Sequence, residues 1–137
     1  ISALHKKEIL LLKQLFIIKN IHRHEILNEL MKLFGQKYKK NMVIYKEGDN
    51  DHRLFFIIEG EIGITKKSKE IEIVNSGNYF GELSLLNKIP RDTSAEVVSD
   101  WARIIIISDV QMKKILAEDN KVAMYFLSNM ARKLQIN

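Results

Sequence analysis

Two hydrophobic periods divide the chain. From His5 to Ile21, "HKKEILLLKQLFIIKNI", and from Arg23 to Tyr38, "RHEILNELMKLFGQKY", Leu and Ile return every three or four residues. That spacing lays one apolar stripe along an α-helix. It predicts helices over residues 1–40, with Gly35 as the stop of the second. Beyond residue 40 the period shortens. "MVIYKEGDNDHRLFFIIEGEIGITKK" carries β-branched and aromatic runs broken by "EGDND" and "EG", both turn-forming groups. "KEIEIVNSGNYFGE" alternates Ile71 and Ile73 with Glu70 and Glu72, then turns over Asn75 to Asn78. "SAEVVSDWARIIIIS" predicts two further strands joined by a hairpin around Asp100. The helical period returns in "SDVQMKKILAEDN", with Ser108 as N-cap, and in "KVAMYFLSNMARKLQ". Helices, then short strands, then helices is the order of an α+β domain with one antiparallel β-structure and helices at its ends. No repeat, low-complexity tract or Gly/Ser linker interrupts it. Residues 1–137 therefore read as one domain, with helices over 1–40, strands over 41–107 and helices over 108–137.

Composition narrows the classes. A chain of 137 residues with 46% apolar and 28% charged residues suffices for one hydrophobic core. Residue 1 is Ile, which reads as a piece of something longer. With no cysteine, disulfides and thiolate metal sites or nucleophiles are excluded, as suits a reducing compartment. The longest apolar runs, such as Ile104 to Ile107 and Ile9 to Leu12, fall far short of a membrane span. No stretch resembles a secretory leader, so the expected location is the cytoplasm without membrane contact. The net charge of +5 has two readings: a solvated basic surface, or attraction to an anion. His22 and His24 fall on different faces of a helix, and no metal site is expected. Hydrolase and Walker-type motifs are missing, and Ser84 has no evident base, so no catalytic residue is assigned. The basic clusters "KYKKN" and "KKSK" read as solvated loops rather than nucleic-acid contacts.

Candidate chemistry concentrates in Phe80 to Ala95, "FGELSLLNKIPRDTSA", which holds a Gly-Glu pair, the only proline and an arginine directly after it. Leu83, Leu85 and Leu86 suit one or two helical turns opening at Gly81. Such an opening presents unpaired backbone N–H groups to an anion, and glycine there leaves the approach clear. Arg91 supplies a bidentate fork for the same anion, whereas ionised Glu82 only accepts hydrogen bonds and suits a hydroxyl. Taken singly, these are a turn glycine, a solvated first-turn carboxylate and a surface charge. Taken together they fit a ligand bearing both a phosphate and a sugar hydroxyl.

"GNYFGELSLLNKIPR" resembles the phosphate-binding cassette of the cyclic nucleotide-binding domain family, which includes the catabolite activator protein and the regulatory subunits of cyclic-nucleotide-dependent kinases. The pattern of Phe-Gly-Glu, an apolar, a small and two apolar residues, three variable ones and Pro-Arg is complete here. Upstream "VIYKEGDNDHRLFFIIEGEIGI" and downstream "IIIISDVQMKKILAED" extend the likeness over nearly the whole chain. The resemblance implies an antiparallel β-roll, jelly-roll-like, flanked by N-terminal helices and two C-terminal helices, with the cassette over residues 80–93. It also implies a 3′,5′-cyclic nucleotide, cAMP or cGMP, as ligand, with no cofactor or metal. By motif position Arg91 would hold the exocyclic phosphate oxygens and Glu82 the ribose 2′-hydroxyl. The backbone of Gly81, Leu83 and Ser84 would line the sugar-phosphate, and Asp92 and Thr93 would touch the phosphate or base. The implied role is regulatory rather than enzymatic: binding is transmitted to an effector domain or subunit by the C-terminal helices. The final helix, with Met124, Tyr125, Phe126 and Leu127, is core or a lid over the base. The alternative is a fold that has lost the nucleotide and serves as an interaction domain.

Two departures from the family pattern carry expectations of their own. Asp92-Thr93-Ser94-Ala95 stands where small residues usually follow the arginine. In "EGDNDH", Asp51 replaces a turn glycine, which asks it for left-handed geometry, and His52 replaces an aspartate that orients the arginine in some relatives. Asp92 then either supplies the missing carboxylate to Arg91 or points into solvent.

Overall fold

The computed structural model describes residues 36–118 and 120–136, so the helices expected before Gly35 lie outside the described residues. Eight strands come first: β1 Tyr38–Lys39, β2 Val43–Tyr45, β3 Leu54–Glu59, β4 Glu61–Lys66, β5 Lys69–Asn75, β6 Tyr79–Phe80, β7 Ser94–Val97 and β8 Trp101–Ile107. Helix α1, Glu82–Asn87, interrupts them, and α2, Asp109–Glu118, and α3, Asn120–Ile136, follow. The strands form two antiparallel four-stranded sheets, ordered β1-β8-β3-β6 and β2-β7-β4-β5. Strand structure thus begins inside the segment expected to be helical to residue 40, because Tyr38 and Lys39 pair with Ala102 and Trp101.

The two sheets face each other across one apolar core. Phe55, Ile57, Ala102 and Ile104 from one sheet meet Tyr45, Ile62, Ile64, Ala95 and Val97 from the other. Strand β3 is buried along Leu54–Ile58 without alternation. A strand covered on both faces reads that way. Each such Leu, Ile or Phe contributes roughly 1.5–3 kcal/mol of burial.

The expected hairpin around Asp100 is not formed, although both strands are present. Strand β7 pairs with β2 and β4, whereas β8 pairs with β1 and β3, so the chain crosses between sheets at Val98–Asp100. Ser99 holds the crossing: its Oγ accepts from the Glu61 amide at 2.9 Å and donates to the Trp101 carbonyl at 2.8 Å. Gly60 makes room, since a Cβ there would lie 2.6 Å from the Trp101 carbonyl oxygen. Alternating Ala95 and Val97, and then Ala102 and Ile104, must all reach the same core, and two facing sheets allow it.

The return to helix follows the expected cap. The Gln111 amide donates to Ser108 Oγ at 3.1 Å, and the Ser108 amide donates to Gln111 Oε1 at 3.0 Å, a reciprocal capping box. Met112, Ile115 and Val122 are buried and anchor the C-terminal helices. Helix α3 returns to the sheet, where Asn129 Nδ2 donates to Tyr79 Oη at 3.2 Å and the Tyr125 and Tyr79 rings lie 6.3 Å apart. Among the described residues, no helix is long and apolar enough to cross a membrane.

Candidate functional site

Strand β6 delivers Phe80 into the core, stacked on Phe55 with ring centroids 5.1 Å apart. The next residue, Gly81, caps α1 with φ +91°, a conformation that strains residues with a side chain. Helix α1 buries Ser84 and Leu85, leaves Leu83 48% exposed, and ends at Lys88 in left-handed geometry. The chain then turns through Ile89 and Pro90 and brings Arg91 back over the mouth of the same helix.

Arg91 is 3% exposed, which is exceptional for an arginine. Its backbone is fixed by the 46–53 turn: the Gly48 amide donates to the Arg91 carbonyl at 2.7 Å, and the Arg91 amide to the Asp49 carbonyl at 2.9 Å. Its guanidinium carbon lies over the Tyr45 ring, 4.2 Å from the centroid. Nη1 donates to the Gly81 carbonyl at 2.9 Å and Nη2 to the Arg53 carbonyl at 2.5 Å. Nε is buried with no hydrogen-bond partner. An ionised, nearly dry group with a spare donor is poised to receive an acceptor.

Asp51 is the carboxylate that meets Arg91, its Oδ1 lying 3.4 Å from Nη2. Asp92 is exposed, so of its two expected placements the structure shows the one toward solvent. Asp51 does not take up left-handed geometry; positive φ in this turn falls on Gly48. The Asp51 carboxylate turns inward, and Arg53 grips it with Nε on Oδ1 and Nη2 on Oδ2, both at 3.0 Å. Burial works against the Asp51 charge. The Arg53 side-chain and backbone hydrogen bonds, with the nearby Arg91 charge, outweigh it and hold the carboxyl below its ordinary value. The same pairing pushes the Arg53 guanidinium up.

Of the residues singled out in the sequence, Gly81 and Arg91 touch, Glu82 is half-buried in the first turn of α1, and Ser84 lies buried behind it. Thr93 is half-buried, its Oγ1 3.5 Å from Tyr45 Oη. Burial raises the Tyr45 hydroxyl above its ordinary range, outweighing the Thr93 contact and the Arg91 charge. Asp51, Arg53 and Tyr45 were not read as site residues. The Asp-His-Arg spelling, a carboxylate two residues before an arginine, is the local signal that points to the first two.

Two flanking contacts connect the cassette to the helices. The Lys88 ammonium pairs with the Asp109 carboxylate in the first turn of α2, and Tyr79 is the residue that α3 holds. Burial pushes the Tyr79 hydroxyl up to about 12 despite the hydrogen bond from Asn129.

Residues 35–119 match the family model described as the cyclic nucleotide-binding domain. Among curated proteins, a cAMP-dependent protein kinase regulatory subunit of Hypocrea atroviridis is 37% identical over 65 residues, covering 47% of this chain and 14% of that protein. A cGMP-dependent protein kinase of Toxoplasma gondii is 32% identical over 85 residues, covering 61% of this chain and 8% of that protein. The matched segments thus make up a small fraction of these relatives' length. Among solved structures, the catabolite activator protein of Thermus thermophilus superposes with a TM-score of 0.68 at 22% identity, over 88% of this chain and 58% of that one. A structure described as Sp-2Cl-cAMPS bound to PKAR CBD2 gives 0.62 at 20% identity, over 94% and 90%. The two facing sheets and their helices are the β-roll of these proteins.

Proposed function

This chain belongs to the cyclic nucleotide-binding domain family, and within it we propose a ligand-sensing module that binds a 3′,5′-cyclic nucleotide, cAMP or cGMP, and has no catalysis of its own. The observation that carries the reading is Arg91: a guanidinium 3% exposed, seated on Gly81, with an unpartnered Nε. A phosphodiester would replace the carbonyls of Gly81 and Arg53 as partner of the guanidinium. The guanidinium then faces a full negative charge that can take its two parallel N–H groups, in place of two neutral carbonyls, which favours the exchange. Glu82, at the opening of α1, accepts the ribose 2′-hydroxyl, while the backbone of Gly81, Leu83 and Ser84 faces the sugar-phosphate. Thr93 flanks the phosphate through its contact with Tyr45. Asp92, exposed beside Thr93, stands at the edge of the site, where its motif position puts it against the phosphate or base.

Ligand entry at Gly81 moves the segment that carries Tyr79 and Lys88, and these residues hold α3 and α2. A ligand shifts an equilibrium only by its difference in affinity for two placements. The C-terminal helices are the element with two placements, and an attached effector domain or subunit reads them.

A second reading has its own observation. Two backbone carbonyls already occupy both terminal nitrogens of Arg91, as they would in a fold that keeps the roll but has given up the ligand and serves as an interaction domain. Thermal melts with cAMP and with cGMP separate the two. At a hundredfold excess over its dissociation constant, the ligand adds about 2.7 kcal/mol to the folded state. Unmoved melts with both, together with no heat on titration, sink the sensor reading and leave the interaction domain.

A further inference from the structure

Arg53 sits where no ligand role was assigned to it, yet it holds Arg91 twice. Its carbonyl accepts from Arg91 Nη2, and its guanidinium forks onto the carboxylate that faces Arg91. Asp51 Oδ1 is therefore shared, 3.0 Å from Arg53 Nε and 3.4 Å from Arg91 Nη2. The side chain of Arg91 is 2% exposed and that of Asp51 14%, so these two charges are poorly screened, whereas Arg53 is 38% exposed and acts through its fork on Asp51. Two guanidinium groups and one carboxylate sum to one positive charge. Glu82 and Asp92 lie on the other side, near Tyr45, Asp92 exposed and Glu82 set for the ribose hydroxyl, and the carboxylates beside the turn have partners of their own. Asp109 pairs with Lys88, and Asp49 Oδ2 accepts from the Lys46 amide at 2.9 Å.

We propose that Arg53 is a positioning and specificity-determining residue: by drawing off the Asp51 carboxylate it leaves Arg91 one uncompensated charge, matched to a phosphodiester monoanion. The inference rests on the cyclic-nucleotide reading of the Arg91 site. Were Asp51 and Arg91 alone, they would cancel, and a phosphodiester would enter with a buried negative charge left over. Without Asp51, two cations would face the ligand and favour a dianion, such as the phosphomonoester that ring-opening of a cyclic nucleotide yields. With all three, the cyclic diester is neutralised and the monoester is left with one charge unmatched. Before a ligand enters, the Gly81 and Arg53 carbonyls also hold Arg91, and the Arg53 amide in turn donates to Asp51 Oδ1 at 3.0 Å.

The test is calorimetric titration with cAMP, cGMP and 5′-AMP at pH 8, where the monoester is dianionic, alongside thermal melts of every variant. Arg53→Gln is expected to weaken the cyclic nucleotide by about tenfold. Asp51→Asn is expected to narrow the preference for cAMP over 5′-AMP by about as much. Asp51→Asn with Arg53→Gln returns the cluster to one positive charge and recovers most of the loss caused by Arg53→Gln alone. Arg53→Lys keeps the charge without the fork and stays close to the wild type. A double variant as weak as Arg53→Gln, or an Asp51→Asn variant that shifts cAMP and 5′-AMP equally, overturns the charge role and assigns the pair to folding alone. A wild-type protein that takes up neither cyclic nucleotide overturns this inference together with the function it rests on, and the two failures are thereby told apart.

Discussion

Gly81 and Arg91 are fitted to each other. The Arg91 Nη1 donates to the Gly81 carbonyl at 2.9 Å, and a Cβ on Gly81 would lie 2.9 Å from that same nitrogen and 3.0 Å from the Arg53 carbonyl oxygen. The guanidinium therefore occupies the space that any other residue at position 81 would fill. With φ at +91°, the position excludes a side chain on conformational grounds as well.

Gly81→Ala should accordingly cost about 1–3 kcal/mol of stability, from strain at positive φ. It should also displace Arg91, so that ligand affinity falls by more than the melting temperature accounts for. Melts and calorimetry on the same preparation check this; a variant with wild-type affinity would show that the two residues do not depend on each other.

Arg91→Ala leaves Asp51 facing a cavity and removes the charge beside Gly81. Truncating one partner of a buried charge pair costs about 2–5 kcal/mol in binding. Arg91→Lys should fall between, because an ammonium is a point charge without the planar fork. Titration with cAMP and cGMP measures both, and undiminished affinity in the alanine variant would remove Arg91 from the site.

Asp51 makes stability depend on acid. Its carboxyl is held below the ordinary aspartate value in the folded chain, so its contribution is complete above the unfolded pKa and is lost as pH falls through the folded one. The sensitive window lies below about pH 4. Denaturant titrations of the wild type and Asp51→Asn should differ above that window and converge below it. Parallel curves throughout would show that the carboxylate is not paired in solution.

Asn129→Leu removes the donor that α3 offers to Tyr79 Oη while leaving the Tyr125 ring in place. Losing one hydrogen bond at this half-buried hydroxyl costs about 0.5–1.5 kcal/mol. Hydrogen exchange along residues 120–136 should accelerate in the variant, and the heat of ligand binding should change if α3 carries the response. Unaltered exchange would mean that the contact does not hold the helix.

Much of this molecule is local and could be read from the chain alone. The strand at "KEIEIVN", although its Ile71 and Ile73 stay exposed, the unbroken apolar run of β3, the Ser108–Gln111 box and the glycine-opened turn of α1 depend on neighbours a few residues apart. Backbone sterics and burial act at that range, and the resemblance to a cassette marked Gly81 and Arg91 by their spacing. What only the tertiary structure decided are the choices between distant partners. Strands β7 and β8, adjacent in sequence, joined different sheets, because their inward residues had to meet across one core. The carboxylate for Arg91 came from Asp51 and not from its neighbour Asp92, because pairing of Arg91 with the 46–53 turn brought Asp51 inward while Asp92 was left in solvent. Those outcomes turn on how the chain closes its loops over some forty residues, and no pattern of near neighbours encodes that closure.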